Sequence, residues 1–180
     1  MKIIDTNING VFVVKIDVPR DERGYFQKVF NYDIYKKFNL DTDFKEHYFS
    51  NSVKNVIRGL HFQLPPYQCT KIVYVSSGSI IDVAIDLRQK SSTFGRIFSR
   101  QLDCLTGEFM YLPKGIAHGF KSLENNTVVN YIQNSCYSKK HDMGILFSSV
   151  KFDWGVENHI VSERDNAFIT FEEFKKRNPF

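Results

Sequence analysis

The feature that most constrains the fold is a succession of short segments rich in Val, Ile, Phe and Tyr, each ended by Gly, Pro, Asn or Ser. Such segments are typical of β-strands. They comprise residues 11–18, 72–76, 79–87, 95–102, 108–112 and 127–133. Only residues 32–39 and 171–177 have a helical pattern. The sequence therefore predicts an all-β fold, mostly antiparallel, built as a sandwich or a barrel with short peripheral helices.

In one predicted strand, residues 81–87, large apolar residues occupy every second position. Its two acids, Asp82 and Asp86, must share the face opposite the apolar residues. On a surface strand that face is simply in water, whereas in a barrel it is the lumen. Polar residues in a lumen indicate a ligand site.

Length and charge limit the partners that we expect. The 180 residues are 42% hydrophobic and 15% aromatic, without repeats or linkers, so we expect one domain over residues 1–180. The net charge of +4 comes from basic residues interspersed with acids rather than from a basic block. This distribution predicts no nucleic-acid partner but is compatible with an anionic small ligand.

The N-terminus and the cysteines indicate the compartment. The first residues, MKIIDTNING, contain an acid before any apolar run, and no stretch is long and apolar enough to span a membrane. The three cysteines, Cys69, Cys104 and Cys136, are odd in number and lack metal-type spacing. We therefore predict a cytoplasmic protein with reduced thiols and no membrane partner.

The stretch IRGLHFQ, residues 57–63, places a cation and an imidazole three positions apart. In a regular strand Arg58 and His61 would face opposite sides, but a bulge at Gly59 would direct both into one cavity. Such a pair could bind an anionic ligand and move a proton. The alternative, favoured by these seven residues alone, is an arginine at a strand edge and a packed histidine.

A second motif refines the fold. Residues 107–118, GEFMYLPKGIAH, resemble the second cupin signature, in which a PxG turn precedes a histidine. Metal-binding cupins also carry an HxH pair, whereas His61 is followed by Phe62 and Gln63. Two isolated histidines make a weak metal site. We therefore predict a cupin-like jelly roll with no metal and no cofactor, whose histidines are free for proton transfer or anion contact.

Motifs along almost the whole chain resemble those of the dTDP-4-dehydrorhamnose 3,5-epimerase family. They run in the family's order and comprise residues 21–26, 58–63, 65–66, 71, 82–88, 92–95, 113–120, 153–154 and 162–165. The resemblance implies a metal-free jelly roll, usually a homodimer with strand exchange, that acts on a nucleotide-diphosphate 4-keto sugar. It implies inversion at C3, C5 or both in activated deoxysugar biosynthesis, of the rhamnose or heptose type, for surface polysaccharide.

The reaction requires a base, a group that stabilises the enolate oxygen, and an acid on the opposite face of the sugar. The resemblance implies that His61 is the base and that Asp165 orients it. It implies that Lys71 lies near the oxyanion and that Tyr131 is the opposite-face acid. The resemblance also implies ligand-binding residues: Arg23, Arg58, His118 and Arg164 for the diphosphate, Tyr137 as a stacking surface, and Phe26, Lys28, Glu46 and Tyr48 toward the nucleotide and sugar ends.

Each catalytic role has a structural alternative. Taken alone, Asp165 suggests an acid at the N-terminus of a helix over residues 166–174. Lys71 alone suggests a solvated lysine at a strand edge, and Tyr131 suggests a packed aromatic residue.

The chain departs from the family pattern at the residues that would read the ligand. Lys28 stands where the family has glutamate, and Glu46 and Tyr48 stand where it often has glutamine and asparagine. These departures predict the same chemistry on a different nucleotide sugar. Lys28 offers only donors and Glu46 only acceptors, which suits guanine or cytosine better than thymine.

Two other functions remain alternatives. One is a sugar-nucleotide 3,4-ketoisomerase on the same jelly roll, against which the retention of Tyr131 argues. The other is a non-catalytic ligand-binding cupin, in which loss of His61 or Tyr131 would be expected.

Overall fold

The computed structural model describes residues 1–155 and 158–180. Within them, thirteen strands carry most of the ordered backbone, and the helices are short. The strands are Lys2–Asp5 (β1), Phe12–Lys15 (β2), Arg20–Asp21 (β3), Gly24–Tyr25 (β4), Glu46–Ser52 (β5), Ile57–Gln63 (β6), Lys71–Ser77 (β7), Ser79–Asp86 (β8), Ile97–Asp103 (β9), Glu108–Leu112 (β10), Ile116–Ser122 (β11), Thr127–Gln133 (β12) and Asp142–Gly144 (β13). The α-helices are Tyr32–Lys37 (α1), Glu163–Asn166 (α2) and Phe171–Lys176 (α3), and a 3-10 turn covers Phe147–Ser149.

Two antiparallel sheets form the body of the molecule. The first has the strand order β1-β2-β10-β7-β12-β5, and the second has the order β13-β6-β11-β8-β9. The short strands β3 and β4 form a separate hairpin. Neighbours in each sheet are often distant in sequence, as in β10 beside β2 and β7. This arrangement is the cupin jelly roll, so the predicted all-β fold is confirmed.

Three apolar clusters hold the molecule together, one between the two sheets and one on the outer face of each sheet. The cluster between the sheets includes Val73 and Met110 from the first sheet and Ala84 and Phe120 from the second. Residues 145–155 and 158–180 cover the outer face of the second sheet with side chains that include Trp154. The segment around α1 covers the outer face of the first sheet. Both outer faces are therefore covered, and the apolar cluster fills part of the space between the sheets.

The predicted elements agree with the structure except in their bounds and in one helix. The first predicted strand, residues 11–18, is reduced to β2, and the predicted helices end one or two residues early. The helix considered for residues 166–174 is wrong. The chain instead forms α2 and α3, because Ser162 caps one helix and Thr170 caps the other with a full capping box.

The helices that the structure describes are too short, or too polar, to cross a bilayer.

Candidate active site

A cavity of about 740 Å³ opens between the two sheets. Its walls come from strands β5, β7 and β12 of the first sheet and from β6 and β11 of the second. It has the size of a small-ligand site. The lining includes four cationic side chains, Lys45, Arg58, Lys71 and Arg164, against two acidic ones, Glu46 and Asp142. This excess of positive charge favours an anionic ligand.

A bulge in β6 brings Arg58 and His61 to the same cavity. In the pairing of β6 with β11, His61 lies opposite His118 and Arg58 lies opposite Phe120. Three steps along β6 therefore match two steps along β11, which inserts one extra residue and turns both side chains to one face. The bulge that the sequence suggested is confirmed, and both residues line the cavity.

Gly59 makes this bulge sterically feasible. Its φ is +124°, and a Cβ there would lie 2.6 Å from Gly119 Cα and 2.8 Å from His118 O. A side chain would therefore force the two strands apart. The Gly59 N–H donates to Asp165 Oδ2 over 2.9 Å, so the bulge also fixes a carboxylate behind the cavity.

His61 and Asp165 form a hydrogen-bonded pair. His61 Nε2 lies 2.9 Å from Asp165 Oδ1, and the imidazole packs edge-on against Phe168. Burial raises the pKa of Asp165, but the hydrogen bond and charge of His61 and the Gly59 N–H outweigh it, so this pKa lies below its ordinary value. An ionised Asp165 accepts a hydrogen bond from the Nε2–H group of His61. The other ring nitrogen, Nδ1, is then the basic nitrogen of the neutral imidazole.

Tyr131 reaches the cavity from the facing sheet. It lies on β12 and is 8% exposed. Burial raises its pKa above the ordinary range, so the hydroxyl keeps its proton at neutral pH. Its ring stacks on Tyr48, with centroids 4.8 Å apart and planes inclined by 15°. The cavity therefore has an imidazole on one sheet and a protonated phenol on the other.

Lys71 and His118 lie deeper in the same cavity. Lys71 is 8% exposed, and within the described residues no hydrogen bond or ion pair holds its ammonium group. His118 is 3% exposed and its Nε2 lies 2.7 Å from Oδ2 of the fully buried Asp82. Asp82 lies on the inward face of β8, which it shares with Ala84 of the cluster between the sheets, but it does not itself line the cavity. Its partner on that face is a second histidine, which the sequence did not suggest.

The mouth of the cavity carries a polar network. Glu46 accepts hydrogen bonds from Gln133 Nε2 at 2.7 Å and from the Tyr137 N–H at 2.8 Å. Arg164 donates to Asp142 Oδ2 at 2.7 Å. Sequence reasoning missed Asp142, because nothing local indicates that residues 142 and 164 meet.

Three residues assigned to the ligand site lie elsewhere in this chain. Arg23, Phe26 and Lys28 do not line the cavity; they border two smaller grooves, one formed by residues 25–30 with β7 and β12 and the other formed within residues 19–26. Phe26 is 60% exposed, and the Arg23 side chain is 83% exposed and, among the residues that the structure describes, pairs with Asp21 alone. Asp86 is also not in the cavity, because it binds Arg88, Ser91 and Thr93 in the loop after β8.

The described residues contain no cluster of three or more His, Cys, Asp or Glu side chains that could hold a metal ion. His61 and His118 are instead each bonded to a carboxylate.

The fold and the cavity define a cupin-type protein whose cavity combines titratable side chains with an excess of positive charge. A sequence model of the family described as dTDP-4-dehydrorhamnose 3,5-epimerase matches residues 5–173. The chain belongs to this family, and it is an isomerase-class epimerase of a sugar nucleotide in deoxysugar biosynthesis.

Three comparisons show how close the similarity is. The chain is 37% identical to the dTDP-4-dehydrorhamnose 3,5-epimerase of Methanothermobacter thermautotrophicus, over 96% of this chain and 95% of the relative. It is 36% identical to that of Shigella flexneri, over 92% and 93%. A dTDP-6-deoxy-D-glucose-3,5-epimerase from Legionella pneumophila, solved with dTDP-4-keto-L-rhamnose, superimposes with a TM-score of 0.89 at 31% identity, covering 94% of this chain and 92% of that one.

Proposed function

We propose that residues 1–180 form one epimerase domain that inverts C3, C5 or both of a nucleotide-diphosphate 4-keto sugar through an enolate. The observation that carries this proposal is that the imidazole of His61 and the phenol of Tyr131 enter one cavity from facing sheets. Inversion needs proton removal on one face of the sugar and proton return on the other. Two groups on facing walls meet that requirement, whereas a non-catalytic binding site has no need of them.

The proposed roles follow the order of the reaction. His61, oriented by Asp165, removes the proton next to the ketone. The ammonium of Lys71, which has no partner among the described residues, stabilises the oxygen as it becomes negative. Tyr131 then donates its proton to the opposite face. The O–H bond of Tyr131 breaks as the new C–H bond forms, and the first proton stays on His61.

The cationic and aromatic residues around this centre bind the nucleotide part. Arg58 reaches the cavity while it donates to Ser52 Oγ and to the Asn51 carbonyl, which fixes the plane of its guanidinium. A fixed guanidinium suits bidentate contact with a diphosphate. We assign His118 and Arg164 to the same diphosphate and Tyr137, which is 58% exposed at the mouth, to stacking on the base.

We further propose a cytoplasmic homodimer in which the segment carrying Arg23, Phe26 and Lys28 completes the cavity of the other copy. The proposal is supported by the exposure of two side chains, Arg23 and Phe26. In an isolated chain, the apolar ring of Phe26 would be left in water. The three free thiols suit a reducing compartment. Sedimentation equilibrium tests the dimer. A monomer at micromolar concentration that is fully active would contradict it.

The substrate is tested with 4-keto-6-deoxyglucose linked to dTDP, UDP, CDP and GDP. We expect inversion, followed by NMR, with at least one of the four. Lack of inversion with all four, by enzyme that is folded and binds nucleotide, would contradict the proposed function.

The base preference is a separate prediction. Glu46 presents its carboxylate on the cavity wall, held by Gln133 and Tyr137, and retains free acceptor positions for an amino group. Lys28 cannot accept a hydrogen bond from the thymine N–H. Leaving that N–H unpaired in a dry site costs about 1–3 kcal/mol of binding free energy. We expect GDP or CDP to bind at least about tenfold more tightly than dTDP by calorimetry. Tightest binding of dTDP, unchanged by Lys28→Glu, would contradict this preference.

A further inference from the structure

Tyr48 is placed to control the orientation of Tyr131. The two residues lie directly opposite each other on the antiparallel strands β5 and β12. Their rings are nearly parallel, with centroids 4.8 Å apart. On another side, the His118 ring meets Tyr131 at 6.0 Å and an angle of 72°. The Tyr131 ring is therefore held by a parallel ring on one face and by an inclined ring beside it.

This arrangement restricts the one side-chain rotation that would move the hydroxyl of Tyr131, the proposed proton donor. The hydroxyl of a tyrosine lies on the axis of χ2, so a ring flip leaves the oxygen in place. Only rotation about χ1 moves the oxygen, and that rotation sweeps the whole ring sideways. Tyr48 occupies the space on one side, so the stack restrains the hydroxyl of Tyr131.

Tyr48 is itself held in place. Its hydroxyl lies 3.4 Å from Gln133 Oε1, and Gln133 Nε2 donates to Glu46 Oε2. Glu46 in turn accepts the Tyr137 N–H. A ring anchored in this way restrains its neighbour better than a freely moving ring would.

We propose that Tyr48 is a positioning residue that holds the hydroxyl of Tyr131 in line with the sugar carbon. The proposal rests on the proposed function, in which Tyr131 returns the proton. It revises the role expected for Tyr48 from its departure from the family pattern, which was contact with the nucleotide or sugar. The stack with Tyr131 accounts for the aromatic ring without any ligand.

The test compares Tyr48→Leu and Tyr48→Asn with Tyr48→Phe, which keeps the stack. Phe49→Leu, on the same strand but 68% exposed on its opposite face, is the matched control. Reactions run in deuterated water with the accepted substrate. NMR gives the rate of inversion and the rate of deuterium entry into substrate that has not been inverted.

Tyr48→Leu and Tyr48→Asn are expected to lower the ratio of inversion to exchange by about twofold to tenfold, the effect of losing one aromatic stack. Phe49→Leu should keep the wild-type ratio, and Tyr48→Phe, which keeps the stack and loses only the 3.4 Å hydroxyl contact with Gln133, should stay much closer to the wild type than Tyr48→Leu. An unchanged ratio in Tyr48→Leu, or an equal loss of both rates, would overturn the proposal.

A second measurement needs no substrate. With ¹³C-labelled tyrosine, the ring resonances of Tyr131 should shift in Tyr48→Leu and shift much less in Tyr48→Phe. Identical Tyr131 resonances in wild type and Tyr48→Leu would overturn the proposal even if the protein proved inactive on every sugar nucleotide. Inactivity of the wild type alone would contradict the proposed function and leave the NMR comparison to decide the role of Tyr48.

Discussion

His61→Asn is expected to abolish deuterium exchange at every sugar carbon that the wild type exchanges, and to lower conversion about 10²–10⁴-fold. Asparagine cannot accept the proton at neutral pH, so the enolate does not form. Nucleotide affinity should be largely unchanged, because the residues proposed to bind the diphosphate and the base do not include His61. The checks are ¹H NMR in deuterated water for exchange and calorimetry for binding. Exchange at nearly the wild-type rate would show that His61 is not the base.

A second variant, Asp165→Asn, tests the residue that is proposed to orient His61. It keeps the shape of the side chain but no longer enforces the Nε2 proton on His61, so we expect a loss of activity smaller than that of His61→Asn.

The lowered pKa of Asp165 adds stability that is present above its ordinary pKa and is lost as the pH falls through the lowered value. The wild type should therefore lose stability more steeply than Asp165→Asn below about pH 4. Parallel acid titrations of the two would contradict the pairing with His61.

Tyr131→Phe is expected to separate the two halves of the reaction. His61 can still remove a proton and return one to the same face, so exchange with retention should persist. Inversion should fall about 10²-fold or more, because no acid remains on the opposite wall. Tyr74→Phe, on the outer face of the same sheet, is the control for loss of a tyrosine hydroxyl. Equal losses of exchange and inversion in Tyr131→Phe would indicate a packing role instead.

The local sequence pattern was sufficient to predict the direction of side chains that depends on a single strand. The alternation over residues 81–87 placed Asp82 on the inward face of its strand, where it bonds the cavity residue His118. The glycine between Arg58 and His61 suggested the bulge that turns both into the cavity. In each case the side-chain direction follows from the period of the strand and from one residue that interrupts it.

Contacts between distant segments could not be predicted in the same way. The pairs Asp82–His118 and Asp142–Arg164 depend on the register between strands and on the path of the C-terminal segment. Strand β5 was missed because its sequence, EHYFSNS, is mostly polar, as fits an exposed edge strand that faces a cavity. Residues 23–28 were assigned to the ligand site by the family resemblance alone, and no local pattern indicates that they lie outside the cavity of their own chain.

The most direct test of the account is the isotopic content of product formed by the wild type in deuterated water. If His61 removes the proton and Tyr131 supplies another from solvent, each inverted carbon must carry one deuterium from the first turnover. Substrate recovered without inversion should carry deuterium only where His61 has exchanged it. Inverted product that keeps its original hydrogen would contradict a site with a base on one wall and an acid on the other.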